Sequence, residues 1–131
     1  MAAGASFVWI GVFMPGILAH VASAIESLEK LLGTARDGAL LRYSLGLERQ
    51  KTGDLARAAE RFREAVELDR DYSAAWKALG KALEQQARAE EALAAYRDGI
   101  DAARRKGDRQ AEKEMTVFAR RLEKSSGAKK T

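Results

Sequence analysis

Apolar residues recur along most of this chain at spacings of three and four, the pattern of helices with one buried face. The first stripe is Ile17, Leu18, Val21, Ala24, Ile25, Leu28 and Leu32, and later ones run through Leu41 and Leu45, through Ala58, Phe62, Ala65 and Val66, and through Ala75, Trp76, Leu79 and Leu83. Breaks in the pattern fall on turn residues at Gly33-Thr34, Gly53-Asp54, Asp69 to Tyr72, Gln86-Ala87 and Gly107-Asp108. Pro15 is the only proline, alanine is abundant, and β-branched residues are sparse after residue 26, so each segment favours helix over strand. The pattern predicts an all-α chain of five or six antiparallel helices, near residues 16–33, 38–51, 55–69, 73–86, 89–105 and 109–124.

The chain also resembles itself. With position i set against position i+34, Leu45 falls on Leu79, Gly46 on Gly80, Ala58 on Ala92, Phe62 on Tyr96, Ala65 on Gly99 and Val66 on Ile100. The fullest stretch is Trp76-x-x-Leu79-Gly80-x-x-Leu83 followed by Ala92-x-x-x-Tyr96; the earlier copy reads Arg42-x-x-Leu45-Gly46, Gly53-Asp54 and Ala58-x-x-x-Phe62. This period and these residues resemble the tetratricopeptide repeat. The resemblance implies an α-solenoid of antiparallel helix hairpins, with units at about 39–72 and 73–106. Where the family usually ends a unit with proline, this chain has Arg70 and Arg104.

The matched positions have a packing reason. Gly46 and Gly80 are expected where the helices of a hairpin approach closely, with Ala58 and Ala92 facing them. Phe62 and Tyr96 are expected to fill the wider gap between successive hairpins. One period before the first unit, Ala24, Leu28, Leu31 and Leu32 fall in the phase of a second helix, so the N-terminal helix reads as a half-unit. One period after the second, the phase needs two extra positions, and Ala111, Met115, Phe118 and Ala119 then fall on the inward face of a C-terminal capping helix at 108–124.

Composition narrows the chemistry. At 131 residues the chain suffices for one domain with a substantial core, and at 47% apolar it is not a disordered sequence. It has no Cys and a single His, His20, which excludes thiol chemistry, disulfides, zinc fingers and multi-His metal sites. No phosphate loop or nucleophile triad is written in it. The expectation is therefore a non-enzyme with no cofactor and no metal. The net charge of +4 is concentrated toward the C-terminus, where residues 125–131 read as a basic, disordered tail. A nucleic-acid binder would interleave aromatics with Lys and Arg on one face, a pattern absent here.

Residues 1–25 carry no formal charge. Three readings compete for them: a secretory signal ending at Ala22-Ser23-Ala24, a membrane anchor, or an apolar extension at 1–13 before a domain spanning 14–124. A signal normally carries Lys or Arg ahead of its apolar run, and Gly11, Pro15, Gly16 and His20 interrupt a membrane span. The stripe from Ile17 to Leu32 crosses the supposed cleavage point in one phase, which favours the extension and a cytoplasmic protein.

In the family resembled here, the first helix of each hairpin lines a concave groove that takes a peptide of a partner protein. The residues opposite the packed stripes are Leu40, Tyr43, Ser44, Leu47, Gln50 and Lys51 in the first unit, and Ala74, Lys77, Ala78, Lys81, Glu84 and Gln85 in the second. The cap is expected to add Lys113, Val117, Arg120 and Arg121. Such a groove runs from an aromatic and aliphatic end at Tyr43 and Leu47 to a cationic end, and suits an acidic peptide. Family members that clamp a C-terminal carboxylate use Lys and Asn; Lys77 and Lys81 match, and Ala78 stands in place of one Asn. Homo-oligomers through an open flank, and a membrane-tethered or exported assembly factor using the same groove, are the alternatives.

Overall fold

The computed structural model describes residues 15–126, with side chains for residues 22–125. Among them are six helices: α1 (Pro15–Glu29), α2 (Ala39–Lys51), α3 (Leu55–Leu68), α4 (Ser73–Gln85), α5 (Ala89–Lys106) and α6 (Arg109–Ser126). Each packs on the next in chain order, and α6 also touches α4. The expected extension at residues 1–13 lies outside the described residues. Part of the expected tail does not: α6 continues through Ser125 and Ser126, leaving residues 127–131 outside.

Local chemistry sets the boundaries. Asp54 caps α3 by accepting from the Arg57 amide at 3.2 Å, and Asp108 caps α6 by accepting from the Ala111 amide at 3.1 Å. Gly107 closes α5 in the left-handed conformation. The turn between α2 and α3 uses Gly53 at φ +81°, and the equivalent turn of the next unit uses Ala87 at φ +61°. The first helix ends before the apolar stripe does. Leu31 and Leu32 donate to the carbonyls three residues back, and Gly33 turns left-handed with its amide on Asp37 at 2.9 Å, so the helix tightens and stops. Leu31 and Leu32 still pack onto Ile25, Leu41 and Leu45.

The main core runs without interruption from α3 to α6 and is built on Phe62, Val66, Trp76, Leu79, Leu83, Tyr96 and Met115 with a bed of alanines. Ala58 and Ala92 are fully buried, as the repeat requires. The two aromatic rings are not confined to the gaps between hairpins. A Cβ built on Gly46 would fall within 3.0 Å of three atoms of the Phe62 ring, and one on Gly80 would do the same with Tyr96. The close approach is therefore glycine to aromatic ring inside each hairpin, and the missing side chain makes room for the ring. Gly99 serves likewise at the next level, against Met115 and Trp76. On the far side, Tyr96 meets Phe118 of α6 with ring centroids 5.5 Å apart, so it also seats the cap.

Candidate functional site

The groove residues expected on α2, α4 and α6 fall into two groups of different character. On α2, Tyr43 is half-buried, its ring 5.8 Å from Phe62 and 5.0 Å from Tyr72 between centroids. Leu47 is likewise half-buried against the core. Burial holds the Tyr72 hydroxyl above its ordinary pKa. Leu40 is the most exposed large apolar residue described, at 69%. Gln50 is half-buried and Lys51 is exposed, paired with Glu48 at 3.0 Å.

Between α4 and α6 the surface is ionic. Lys77 is held by Glu114 at 2.8 Å, which keeps that carboxyl below its usual pKa and leaves the ammonium already engaged. One turn on, Lys81 Nζ lies 4.9 Å from the centroid of Phe118, and the guanidinium of Arg121 lies 5.2 Å from it. Lys81, Glu84, Gln85, Phe118 and Arg121 line a hollow of about 400 Å³. Glu84 is fixed from two sides: the Tyr96 hydroxyl donates to Oε1 at 2.9 Å and Arg121 donates to Oε2 at 3.1 Å. Burial, and then the bond to Glu84, push the Tyr96 phenol well above its ordinary pKa, so it stays a donor. Lys81 has no carboxylate within 4.0 Å among the described residues.

Sequence reasoning assigns Tyr43, Leu47, Lys77, Lys81, Gln85, Lys113 and Arg120 to one groove; Lys81 and Gln85 share a hollow with Arg121, which the same reasoning assigns to the cap. The rim of α6 that meets α4 is Glu114, Phe118 and Arg121, whereas Lys113 and Arg120 line a different hollow, of about 480 Å³, with Arg109, Glu112, Thr116 and Val117. The two-position step that aligns the core is right: Ala111, Met115 and Ala119 are buried as Ala75, Leu79 and Leu83 are. The same step carries Gln85 to Arg121, which lines the hollow with α4, and carries Lys77 and Glu84 to Lys113 and Arg120, which line the other one. Phe118, read from the sequence as core, is half-buried and forms the floor between two cations. Its spacing three positions beyond Met115 is the signal that could have found it.

These features meet in the comparisons with known proteins. The tetratricopeptide repeat profile matches residues 39–72, the first complete hairpin. A TPR repeat-containing protein of Pseudomonas aeruginosa is 48% identical over 101 residues, covering 77% of this chain and 96% of that protein. The chain belongs to the tetratricopeptide repeat family. A solution structure of a Bordetella parapertussis protein is 38% identical and covers 79% of this chain and 90% of its own, with a TM-score of 0.66. The fold is shared more widely: the Sgt2 TPR domain of Aspergillus fumigatus superposes with a TM-score of 0.70 at 24% identity, covering 90% of this chain and 77% of that one. Tetratricopeptide repeats generally mediate protein–protein interaction and typically act as non-catalytic scaffolds. Among the described residues no helix is long and apolar enough to cross a membrane.

Proposed function

We propose that this chain is a non-enzymatic interaction module that holds a peptide segment of a partner protein in the trough along α2, α4 and α6. The observation carrying this reading is the hollow at Phe118, where Lys81 and Arg121 stand over one half-exposed ring. An aromatic floor with cations above it offers a peptide both apolar contact and a partner for carboxylates. Because Lys77 is already paired with Glu114 and Arg121 with Glu84, the free cationic contact among the described residues of this hollow is Lys81. Tyr43, Leu47, Gln50 and Lys51 extend the binding surface along α2, and Gln85 closes its far end. The partner segment is acidic near one end and apolar near the other.

A photo-crosslinking residue at Gln85 tests this in the natural host. Transfer of a single protein to position 85, absent when the same probe replaces exposed Glu60 on α3, is the expected result. The captured segment then loses about tenfold or more in affinity for the Lys81→Glu, Arg121→Ala chain, whose fold circular dichroism checks. Crosslinking from position 60 alone, or an affinity indifferent to both substitutions, would place the interface elsewhere.

A further inference from the structure

The second hollow, on the outer flank of α6, is separate from the trough and carries a different charge logic. The acids of α6 are turned toward the rest of the stack: Glu112 pairs with Arg104 at 2.8 Å, Glu114 with Lys77 at 2.8 Å and Glu123 with Arg97 at 2.7 Å. Its bases Arg109, Lys113, Arg120 and Lys124 are exposed, and none has a carboxylate within 4.0 Å among the described residues. Their spacing of four, seven and four places them along one stripe of the helix. Val117, 58% exposed, sits in the middle of that stripe and lines the hollow beside Thr116.

The position of this stripe in the repeat says what shape it fits. In the register that buries Met115 as Leu79 is buried, Thr116 stands where Gly80 stands in α4 and Gly46 in α2. Those glycines mark the faces on which α5 and α3 lie. On α6 the same face has no second helix among the described residues, and the stripe from residue 109 to 124 is about 22 Å long at 1.5 Å per residue, the span of four helical turns.

We propose that the outer flank of α6 docks an acidic amphipathic helix of a partner protein, lying beside Thr116 and along the stripe whose α4 counterparts, Ser73, Lys77 and Lys81, meet α6. An aliphatic seam of the partner would lie on Thr116 and Val117, with its carboxylates against Arg109, Lys113, Arg120 and Lys124. A protein helix is favoured over a nucleic acid because the centre of the stripe is aliphatic and no aromatic ring lines the hollow to stack a base. Thr116, larger than the glycines it replaces, calls for aliphatic residues rather than a Phe or Tyr at the closest approach.

The test uses the full chain and a stapled helix of about five turns carrying a Leu/Ala seam flanked by Glu, titrated by fluorescence anisotropy against a copy with Lys in place of every Glu. Saturable binding of the Glu peptide only is expected. It should weaken about tenfold or more in the Lys113→Glu, Arg120→Glu chain and in Val117→Asp, and remain unchanged in Lys81→Glu, which separates this site from the trough. Circular dichroism melts confirm that each variant is folded. Absence of saturable binding, or equal binding of the Lys peptide, overturns the proposal. Binding of single-stranded nucleic acid or phosphatidylglycerol vesicles that is lost in the double variant and kept in Val117→Asp would replace the helix with a polyanion. A dimer in sedimentation velocity that Val117→Asp dissociates would assign the face to a second copy of this chain.

Discussion

The two hairpins share a backbone plan but join their preceding neighbours by opposite means. Where α4 and α5 meet the unit before them, Trp76, Leu83 and Ala95 are all at most 5% exposed, and the Trp76 indole donates to the Arg70 carbonyl at 2.9 Å. The matching positions of the unit before are Arg42, Arg49 and Arg61. They form an ionic chain: Asp37 to Arg42 at 2.7 Å, Arg42 to Glu64 at 2.9 Å, Glu64 to Arg61 at 2.9 Å, then Glu29 to Arg61 at 3.6 Å and to Arg49 at 2.9 Å. The inner junction is sealed by burial, whereas the junction with α1 adds to a small apolar patch a chain of charges that still reach water. One repeat position can be filled by either chemistry, provided that the glycine and aromatic pair inside the hairpin fixes the spacing.

Breaking the buried side of this comparison should cost most. Trp76→Ala is expected to lose ~3–5 kcal/mol in chemical denaturation, and Arg42→Ala only about 1–2 kcal/mol, because its partners stay partly hydrated. Equal losses would mean that the two junctions are not different in kind. Gly80→Leu forces a side chain into the Tyr96 ring and is expected to cost ~1–3 kcal/mol; an unchanged melting temperature would mean that the ring can move aside freely.

Acid should act on the ionic junction first. The bonds from Arg42, and then the Gly33 amide, hold the Asp37 carboxyl down to about 2. A folded pKa below the unfolded one stabilises above the unfolded value, near 4, and that contribution is lost as the pH falls from about 4 toward 2. Asp37→Asn should flatten the melting temperature over that window, and an unchanged slope would remove Asp37 from the junction's stability. The smallest effect concerns the turns: Ala87→Gly is expected to stabilise by about 0.5–1 kcal/mol and Gly53→Ala to destabilise by a similar amount, since a Cβ in a left-handed corner is strained. Thermal melts of the two variants check the opposite signs.

How much was legible in the sequence follows the same division. Interior positions were readable because a residue packed on all sides leaves a periodic mark, as Leu45, Leu79, Ala58 and Ala92 do. On the α6 rim the repeat phase reached Arg121 but not Glu114, since Glu114 is chosen by Lys77 on another helix, far away in sequence. The placement of Phe62 and Tyr96 was half-readable: the spacing identified the pair, but only coordinates show the ring occupying the glycine's empty volume. The ionic junction left no periodic mark, because its arginines read as ordinary surface charge.

The small apolar patch of Ile25, Leu41 and Leu45 that seats α1 is separate from the main core. In a stack where each element leans on its neighbours, such a loosely stitched junction is where unravelling begins. Amide exchange should therefore progress along the chain as a zipper, fast in α1, slower in α2 and slowest around Leu79 and Tyr96. Raising the ionic strength should speed the first step and leave the last untouched.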